Sequence, residues 1–200
     1  MKRAALLAGL LALTGCSGKS AEKPTTAAAP KLPPTTTATT ATTQTCSQFQ
    51  GSTGTHASAT TPTKTMLLTL VRTGADRCTD RVTFIFRPAG GETPGYRVQY
   101  RPAAQAQTQD ASGKHIAIAG KAFLVVRLEP AATADLSGSK PENTYTGSSR
   151  LEPPGMRAVR EVVKTGDFEG VLTWVIGLSS ERPFTVTSSA SPTSLTVVIG

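Results

Sequence analysis

The chain has 200 residues, of which 38% are hydrophobic, 5% aromatic and 17% charged. That is enough apolar material for one modest domain, and the low aromatic and charged fractions indicate that part of the chain builds no core. Lys and Arg number 21 against 13 Asp and Glu, a formal net charge of +8. With three cysteines and two histidines, the counts argue against a disulfide-rich miniprotein, a histidine-built metal site, a large multidomain enzyme and a polytopic membrane protein.

The N-terminus has the pattern of a secretory signal. Lys2 and Arg3 precede a continuous apolar run over residues 4–13, which is about 15 Å long as a helix, half of a bilayer core. Residues 13–16 read LTGC and resemble the lipobox of bacterial lipoproteins. We predict a signal peptide over residues 1–15, cleavage before Cys16 and acylation of its thiol. Several acyl chains would then anchor the protein to the extracytoplasmic face of the cell membrane.

Residues 16–63 are predicted to form a disordered, lipid-anchored tether. They are rich in Thr, Ala and Pro and contain almost no large apolar residues, so they cannot bury enough surface to offset chain entropy. His56 lies in this segment, where we expect no preorganisation for catalysis.

Two cysteines remain after Cys16 is assigned to the lipid anchor. In an exported chain, Cys46 and Cys78 are expected to form a disulfide. They lack the C-x-x-C spacing and the partner histidines of a redox or zinc site. The bond would close a loop of about 30 residues, contribute about 3–4 kcal/mol and fasten the end of the tether to the first strands.

Residues 64–200 are predicted to form an all-β domain. Short runs alternate between apolar and polar residues and are separated by Gly and Pro, which is typical of half-buried antiparallel strands. About nine such runs favour an antiparallel β-sandwich or a flattened barrel. The apolar faces with the clearest alternation are Met66, Leu68 and Leu70; Val82, Phe84 and Phe86; Tyr96, Val98 and Tyr100; and Leu172, Trp174, Ile176 and Leu178.

Three segments of the domain depart from this pattern or extend it. Residues 103–111 favour a helix of one or two turns, and Ile116 with Ile118 predicts a further strand. In residues 157–164 neither alternating face is purely apolar. Either a bulge shifts the phase of this strand, or Arg160 and Glu161 pair with neighbours near a sheet edge.

Residues 166–170, which read GDFEG, predict a hairpin turn, because glycines permit positive φ there. Asp167 and Glu169 are expected to point outward together. They lack the enclosing pocket of a glycosidase pair and supply too few oxygens for calcium. Phe168 either tucks back over the sandwich or stands exposed as an interaction point.

A binding role is the alternative to catalysis. Arginine and tyrosine side chains are the residues that we expect to contact a ligand. Guanidinium groups match carboxylates and phosphates, and a tyrosine ring can stack on sugars, although a solvated face and a core tyrosine are equally ordinary outcomes. Arginines on or near predicted strands are Arg81, Arg97, Arg101, Arg157 and Arg160. The candidate ligand-binding residues are Arg81, Tyr96, Arg160, Asp167, Phe168 and Glu169.

Five segments of the domain resemble the AMIN-like domain lipoproteins of actinobacteria. They are residues 80–84 (DRVTF), 94–98 (PGYRV), 160–162 (REV), 166–174 (GDFEGVLTW) and 182–186 (RPFTV). The resemblance covers roughly residues 65–199. It implies a β-sandwich related to the AMIN module, which localises proteins in the envelope, is associated with peptidoglycan and has no catalytic residues.

The sequence therefore predicts an extracytoplasmic lipoprotein that acts by binding and is not an enzyme. The expected partners are the membrane, through the lipid anchor, and a cell-wall glycan such as peptidoglycan. An interaction module for an envelope protein is the competing hypothesis. We expect a monomer, no cofactor, no metal and no nucleic acid.

Overall fold

The computed structural model describes Cys46 and residues 48–200. They fall within one unit that spans Gln44–Gly200. The single-turn helix α1 (Ala103–Ala106) confirms the short helix predicted within residues 103–111. The strands are β1 (His56–Ala57), β2 (Met66–Ala75), β3 (Asp80–Phe86), β4 (Tyr96–Arg101), β5 (Ala122–Leu128), β6 (Ala131–Ala132), β7 (Ala134–Asp135), β8 (Glu142–Asn143), β9 (Arg150–Leu151), β10 (Val159–Phe168), β11 (Val171–Leu178), β12 (Phe184–Ala190) and β13 (Thr193–Ile199).

The strands form two large sheets and one small one. The six-stranded sheet has the order β1-β4-β5-β11-β10-β9, the five-stranded sheet has the order β12-β13-β3-β2-β6, and β7 pairs with β8. Neighbouring strands are antiparallel except for the short parallel pair β2–β6. The two large sheets enclose a shared apolar core, which confirms the predicted antiparallel β-sandwich.

The core lies between the two sheets, because alternate residues of their strands point inward. Phe84 on β3 meets Trp174 on β11 across the core, with ring centroids 5.9 Å apart. Trp174 is fully buried, and Tyr145 packs edge-on against it at 5.7 Å. Aromatic contacts therefore join the two sheets at the centre of the sandwich.

A second apolar cluster covers part of the outer face of the six-stranded sheet. The chain between β4 and β5, including α1, folds back over this face. The members of the cluster are Ala106, Ile118, Phe123, Val163 and Val175. The outer face is therefore divided into a covered part and an uncovered part.

The predicted strand through Ile116 and Ile118 is wrong. This stretch has only an isolated bridge between Thr108 and His115. Ile118 is buried in the outer cluster and Ile116 packs against it. The two isoleucines face the same way because the loop lies flat on the sheet. The alternating sequence pattern at residues 116–118 therefore does not reflect a hydrogen-bonded strand.

Strand β10 combines both explanations offered for its irregular pattern. Its pairing with β11 shifts register between Val159 and Glu161 and again between Lys164 and Gly166, so a bulge changes the phase. Glu161 is only 2% exposed and forms an ion pair with Arg150 on the short edge strand β9.

Residues 48–63, which we call the strap, lie against the β domain. Ser52 exchanges two backbone hydrogen bonds with Phe184, of 3.1 and 2.9 Å, and β1 pairs with β4. The strap therefore connects the exposed edges of both large sheets. The prediction that disordered tether extends to residue 63 is wrong for this part, because backbone pairing compensates for the scarcity of large apolar side chains.

The expectation that His56 lacks a fixed position is also wrong. Its Nε2 atom lies 3.0 Å from the Ser52 hydroxyl, and its ring lies 4.7 Å from the buried ring of Phe184. His56 therefore covers the core edge that β12 and β4 leave open.

Cys46 and Cys78 form the predicted disulfide, with Cα atoms 5.5 Å apart. The bond fastens the start of the strap to the turn between β2 and β3. The predicted signal peptide, Cys16 and residues 17–45 lie outside the described residues. No helix within Cys46 and residues 48–200 is long and apolar enough to span a membrane.

Candidate functional site

The structure does not gather Arg81 with the other candidates on the six-stranded sheet. Arg81 lies on β3, on the outer face of the five-stranded sheet, because its neighbours Asp80 and Val82 point inward. Its guanidinium forms an ion pair with Asp76 in the turn that precedes it. Arg81 is therefore engaged on the opposite side of the sandwich from the strands that carry Tyr96 and Arg160.

Tyr96 and Arg160 lie at opposite ends of the six-stranded sheet. Across the strands, Tyr96 is level with Leu128, which is level with Leu172 and then with Asp167 on β10. Arg160 begins β10 at its other end, and its guanidinium lies 3.5 Å from the carbonyl oxygen of Met156. The structure therefore does not bring the candidate residues Arg81, Tyr96 and Arg160 together in one site.

Tyr96 faces the core, where its ring packs against the main apolar cluster. It is only partly buried, and it also lines a groove on the outer side of the sheet. The structure therefore favours the core position of Tyr96 over a sugar-stacking position on the outer face.

The predicted hairpin connects β10 and β11. Phe168 and Val171 are the last paired residues, and Glu169 and Gly170 between them have φ values of +51° and +75°, as a type I′ turn requires. Asp167 and Glu169 are both exposed, and Asp167 also accepts a hydrogen bond from the Thr133 hydroxyl.

Phe168 stands exposed, which decides between its two predicted positions. Its exposed fraction is 55%, and Leu136 on a nearby loop is 73% exposed. Leu136 and Gly170 both line an apolar groove with Leu67 and Ala134. This end of the sandwich, which we call the apolar end, offers a surface for another macromolecule.

The uncovered part of the outer face of the six-stranded sheet contains an open groove of about 330 Å³. Its floor carries Arg97 from β4 and Arg127 from β5, and the strap residues Ala57, Ser58 and Thr61 form one wall. We call this the arginine groove. The strap reaches it because β1 pairs with β4 and the Ser58 N–H donates to the carbonyl oxygen of Tyr96 at 3.0 Å.

Positive charge dominates the arginine groove. Arg97 and Arg127 are directly opposite each other in the β4–β5 register, and both are exposed. Arg127 donates to Glu129 through Nε at 3.1 Å and through a terminal nitrogen at 2.9 Å. Among Cys46 and residues 48–200, Arg97 has no side-chain hydrogen bond and no ion pair.

A second groove continues from the first along the same face. The two grooves share Arg127, and the second extends past Gln99 and Arg101 toward α1 and Asp110. Thr173 on β11 lies in its floor, beside Arg127 in the register. The arrangement is an elongated polar strip, open to solvent, that suits an extended chain better than a small enclosed substrate.

Whether side chains of the described residues could hold a metal ion depends on how they are grouped. Among these residues, no three His, Cys, Asp or Glu side chains lie together as a metal ion would require. The carboxylates nearest the grooves are Glu129, which bonds Arg127, and Asp110, beside Gly166.

Arg127 was missed by the sequence analysis. It lies in a run of apolar residues, and that run predicts a central, buried strand. Alternation does place Arg127 outward, since Val126 and Leu128 are buried. Arg127 lies opposite Arg97 because of the register in which β4 and β5 pair, and this register cannot be predicted from the sequence of either strand alone.

A model of the AMIN-like domain family matches residues 66–200, more than half of the chain. The match begins at the first residue of β2 and ends with the chain, so it spans both large sheets apart from β1, which lies in the strap. No curated protein and no solved structure matches the chain.

Proposed function

Since the chain belongs to the AMIN-like domain family, we propose that its β domain is a non-catalytic module that binds peptidoglycan or another wall polymer and localises the protein in the cell envelope. AMIN-like domains are extracytoplasmic and wall-associated. The observation that carries the proposal is the family match over both large sheets. The arginine groove supplies a surface of the right shape and charge for an acidic polymer.

We further propose that Cys16 is acylated and anchors the chain to the extracytoplasmic face of the membrane. The support is the LTGC motif that follows the apolar run. Residues 17–45 would then separate the anchor from the strap in the sequence. Mass spectrometry of the N-terminal peptide from the membrane fraction tests this: a diacylated Cys16 is expected, and an unmodified thiol would contradict it.

A protein-interaction module is the second candidate function. It is favoured by the apolar end, where Phe168 and Leu136 are both more than half exposed. An adjacent groove of about 560 Å³ carries further apolar side chains. Such a surface fits a partner protein better than a polysaccharide, because its lining offers few charged groups.

Co-sedimentation with purified peptidoglycan tests the proposed function. We use a chain that begins at residue 17, which keeps the whole unit Gln44–Gly200. It should sediment with the wall material, and raised salt should weaken the retention, because exposed charges are screened. The double variant Phe168→Ser/Leu136→Ser is the matched control and should be retained like the unaltered chain.

One result would contradict wall binding: the unaltered chain would stay in the supernatant at low salt. If instead the control variant lost retention while its fold remained intact by circular dichroism, the wall would be bound at the apolar end and not in the arginine groove.

A further inference from the structure

Two arginines face each other on adjacent strands in the arginine groove. Arg97 on β4 and Arg127 on β5 are direct partners in the antiparallel register. Side chains in such positions have Cβ atoms about 4.5–5.5 Å apart, and like charges there are destabilising. The pair therefore costs stability unless a negative group lies between the two guanidiniums.

The protein neutralises only one of the two charges. Glu129 accepts two hydrogen bonds from Arg127. In the described part of the chain Arg97 donates no side-chain hydrogen bond, whereas Arg81 and Arg150 each have a carboxylate partner.

The surroundings of the pair fit an oxyanion on a long chain. The strap contributes Thr61, whose hydroxyl can donate a hydrogen bond. The Ser58 hydroxyl is already bonded to the backbone of Tyr96. The second groove continues past Arg101, so a bound chain can leave the pair in that direction. A carboxylate or phosphate has two or more oxygens and can bridge two guanidinium forks.

We propose that Arg97 and Arg127 together bind oxyanion groups, carboxylate or phosphate, that recur along the wall polymer. This inference rests on the proposed function and names the chemistry that the module recognises. The polymer lies along the strip between the strap and α1. Its negative groups relieve the repulsion between the two arginines.

Retention on purified wall material is the first test. In the chain that begins at residue 17, Arg97→Gln/Arg127→Gln should raise the apparent Kd at least about tenfold, since it removes charge-assisted hydrogen bonds. The matched control is Arg72→Gln/Arg81→Gln, which removes the same charge from exposed positions on the five-stranded sheet. The control should bind like the unaltered chain, and equal loss in both variants would overturn the inference.

Stability without polymer is the second test, and a merely structural role would not produce its result. Arg97→Gln should raise the thermal midpoint by about 1–3 °C, because it removes the like-charge pair. Inorganic phosphate should raise the midpoint of the unaltered chain by linkage, and it should raise that of Arg97→Gln less. A lower midpoint for Arg97→Gln would show that this arginine supports the fold and would overturn the inference.

Chemical treatment of the wall separates the two sources of oxyanion. If the ligand is a carboxylate, conversion of the carboxylates of the wall to amides should abolish binding. If the ligand is a phosphate, treatment of the wall with hydrofluoric acid, which removes phosphate-linked polymers, should abolish binding. Retention that survives both treatments would overturn the inference.

The design also distinguishes the inference from the proposed function. If the unaltered chain and the Arg97→Gln/Arg127→Gln variant bind the wall equally, the inference fails and the proposed function stands. If the unaltered chain does not bind the wall, the proposed function and the polymer assignment both fail. A rise of the thermal midpoint with added phosphate would then still show that the arginine pair binds an oxyanion.

Discussion

Asp80 joins two distant parts of the chain through a buried carboxylate. The residue is 1% exposed and accepts hydrogen bonds from the backbone N–H groups of Arg157, Ala158 and Val159, at 3.0, 2.7 and 2.9 Å. These bonds hold the start of β10, in the six-stranded sheet, against the start of β3, in the five-stranded sheet. One side chain therefore links the two sheets at this end.

Replacing this carboxylate should be strongly destabilising. Asp80→Ala leaves the three N–H groups without an acceptor, and we expect a loss of about 3 kcal/mol or more in the free energy of unfolding in urea. Asp80→Asn keeps one acceptor oxygen but turns an amide donor toward the others, so its loss should be smaller than that of Asp80→Ala. An Asp80→Ala variant within about 0.5 kcal/mol of the unaltered chain would contradict this role.

At the scale of elements, the loop before β5 lies directly on β11. A side chain at Gly177 would overlap the carbonyl oxygen of Ala119. The Ala119 N–H donates to the buried Glu161 at 2.7 Å, so the loop cannot easily withdraw. A glycine on β11 is therefore required by close approach of two backbones.

Gly177→Ala should destabilise the domain by about 1–3 kcal/mol, because the loop must move away from the sheet. Gly74→Ala is the matched control, since a methyl group there meets nothing within 4 Å. It should leave stability unchanged or raise it slightly, because alanine restricts the unfolded chain. Equal effects of the two substitutions, measured by urea unfolding, would show that the loop adapts freely.

The strap is also held by a carboxylate in the turn between β3 and β4. Glu92 accepts from the Thr63 hydroxyl at 2.6 Å and from its N–H at 2.9 Å. The Thr63 hydroxyl is the main reason that the pKa of Glu92 lies below its ordinary value. The pKa of Asp76 is likewise lowered, chiefly by the backbone N–H of Cys78.

This pKa direction predicts how stability depends on pH. A carboxyl group whose pKa is lower in the folded state stabilises fully above its ordinary pKa, and the contribution disappears as the pH falls through the lowered value. Stability should therefore decline below about pH 4. Glu92→Gln should make the decline shallower, and Asp76 and Asp135, whose pKa values are also lowered, should still contribute to it. An identical pH profile for Glu92→Gln would contradict this.

Strand alternation was sufficient to predict most elements of the sandwich. It located β3, β4 and β11 with the correct inward faces, because half-buried strands repeat every two residues. It also located β2, but it placed Leu70 on the inward face with Met66 and Leu68. A register shift between Leu68 and Leu70 leaves Leu70 exposed and buries Val71 instead. It failed at residues 116–118, where a loop packed flat on a sheet imitates the same repeat. It also left β10 undecided, since a bulge and a buried ion pair each break the period.

The candidate site was less predictable than the fold. Asp167, Phe168 and Glu169 were expected on one hairpin and are there, but Arg81, Tyr96 and Arg160 lie apart. Site geometry depends on strand order and register, and these are set by long-range pairing. No single segment encodes that pairing.

At the scale of the whole molecule, the strap closes one side of the sandwich. It runs from the disulfide at Cys46 past Ser52, which pairs with β12, to β1, which pairs with β4. The edges of both large sheets therefore depend on a segment that lies before the matched family region. The same segment forms a wall of the arginine groove, so stability and binding are coupled through it.

Loss of the disulfide and loss of the strap should have separable effects. Cys46→Ala/Cys78→Ala opens a loop with a sequence separation of 32, and we expect a loss of about 3–4 kcal/mol in the free energy of unfolding. A chain that begins at residue 58 should lose more, because Phe184 also loses its cover from His56. A chain that begins at residue 44 is the control and should match one that begins at residue 17.

If urea unfolding shows the residue-58 chain to be as stable as the disulfide variant, residues 48–57 of the strap contribute nothing beyond the covalent link. In that case the sandwich does not need the segment that forms one side of the arginine groove. The shortened chain should then still bind the cell-wall polymer.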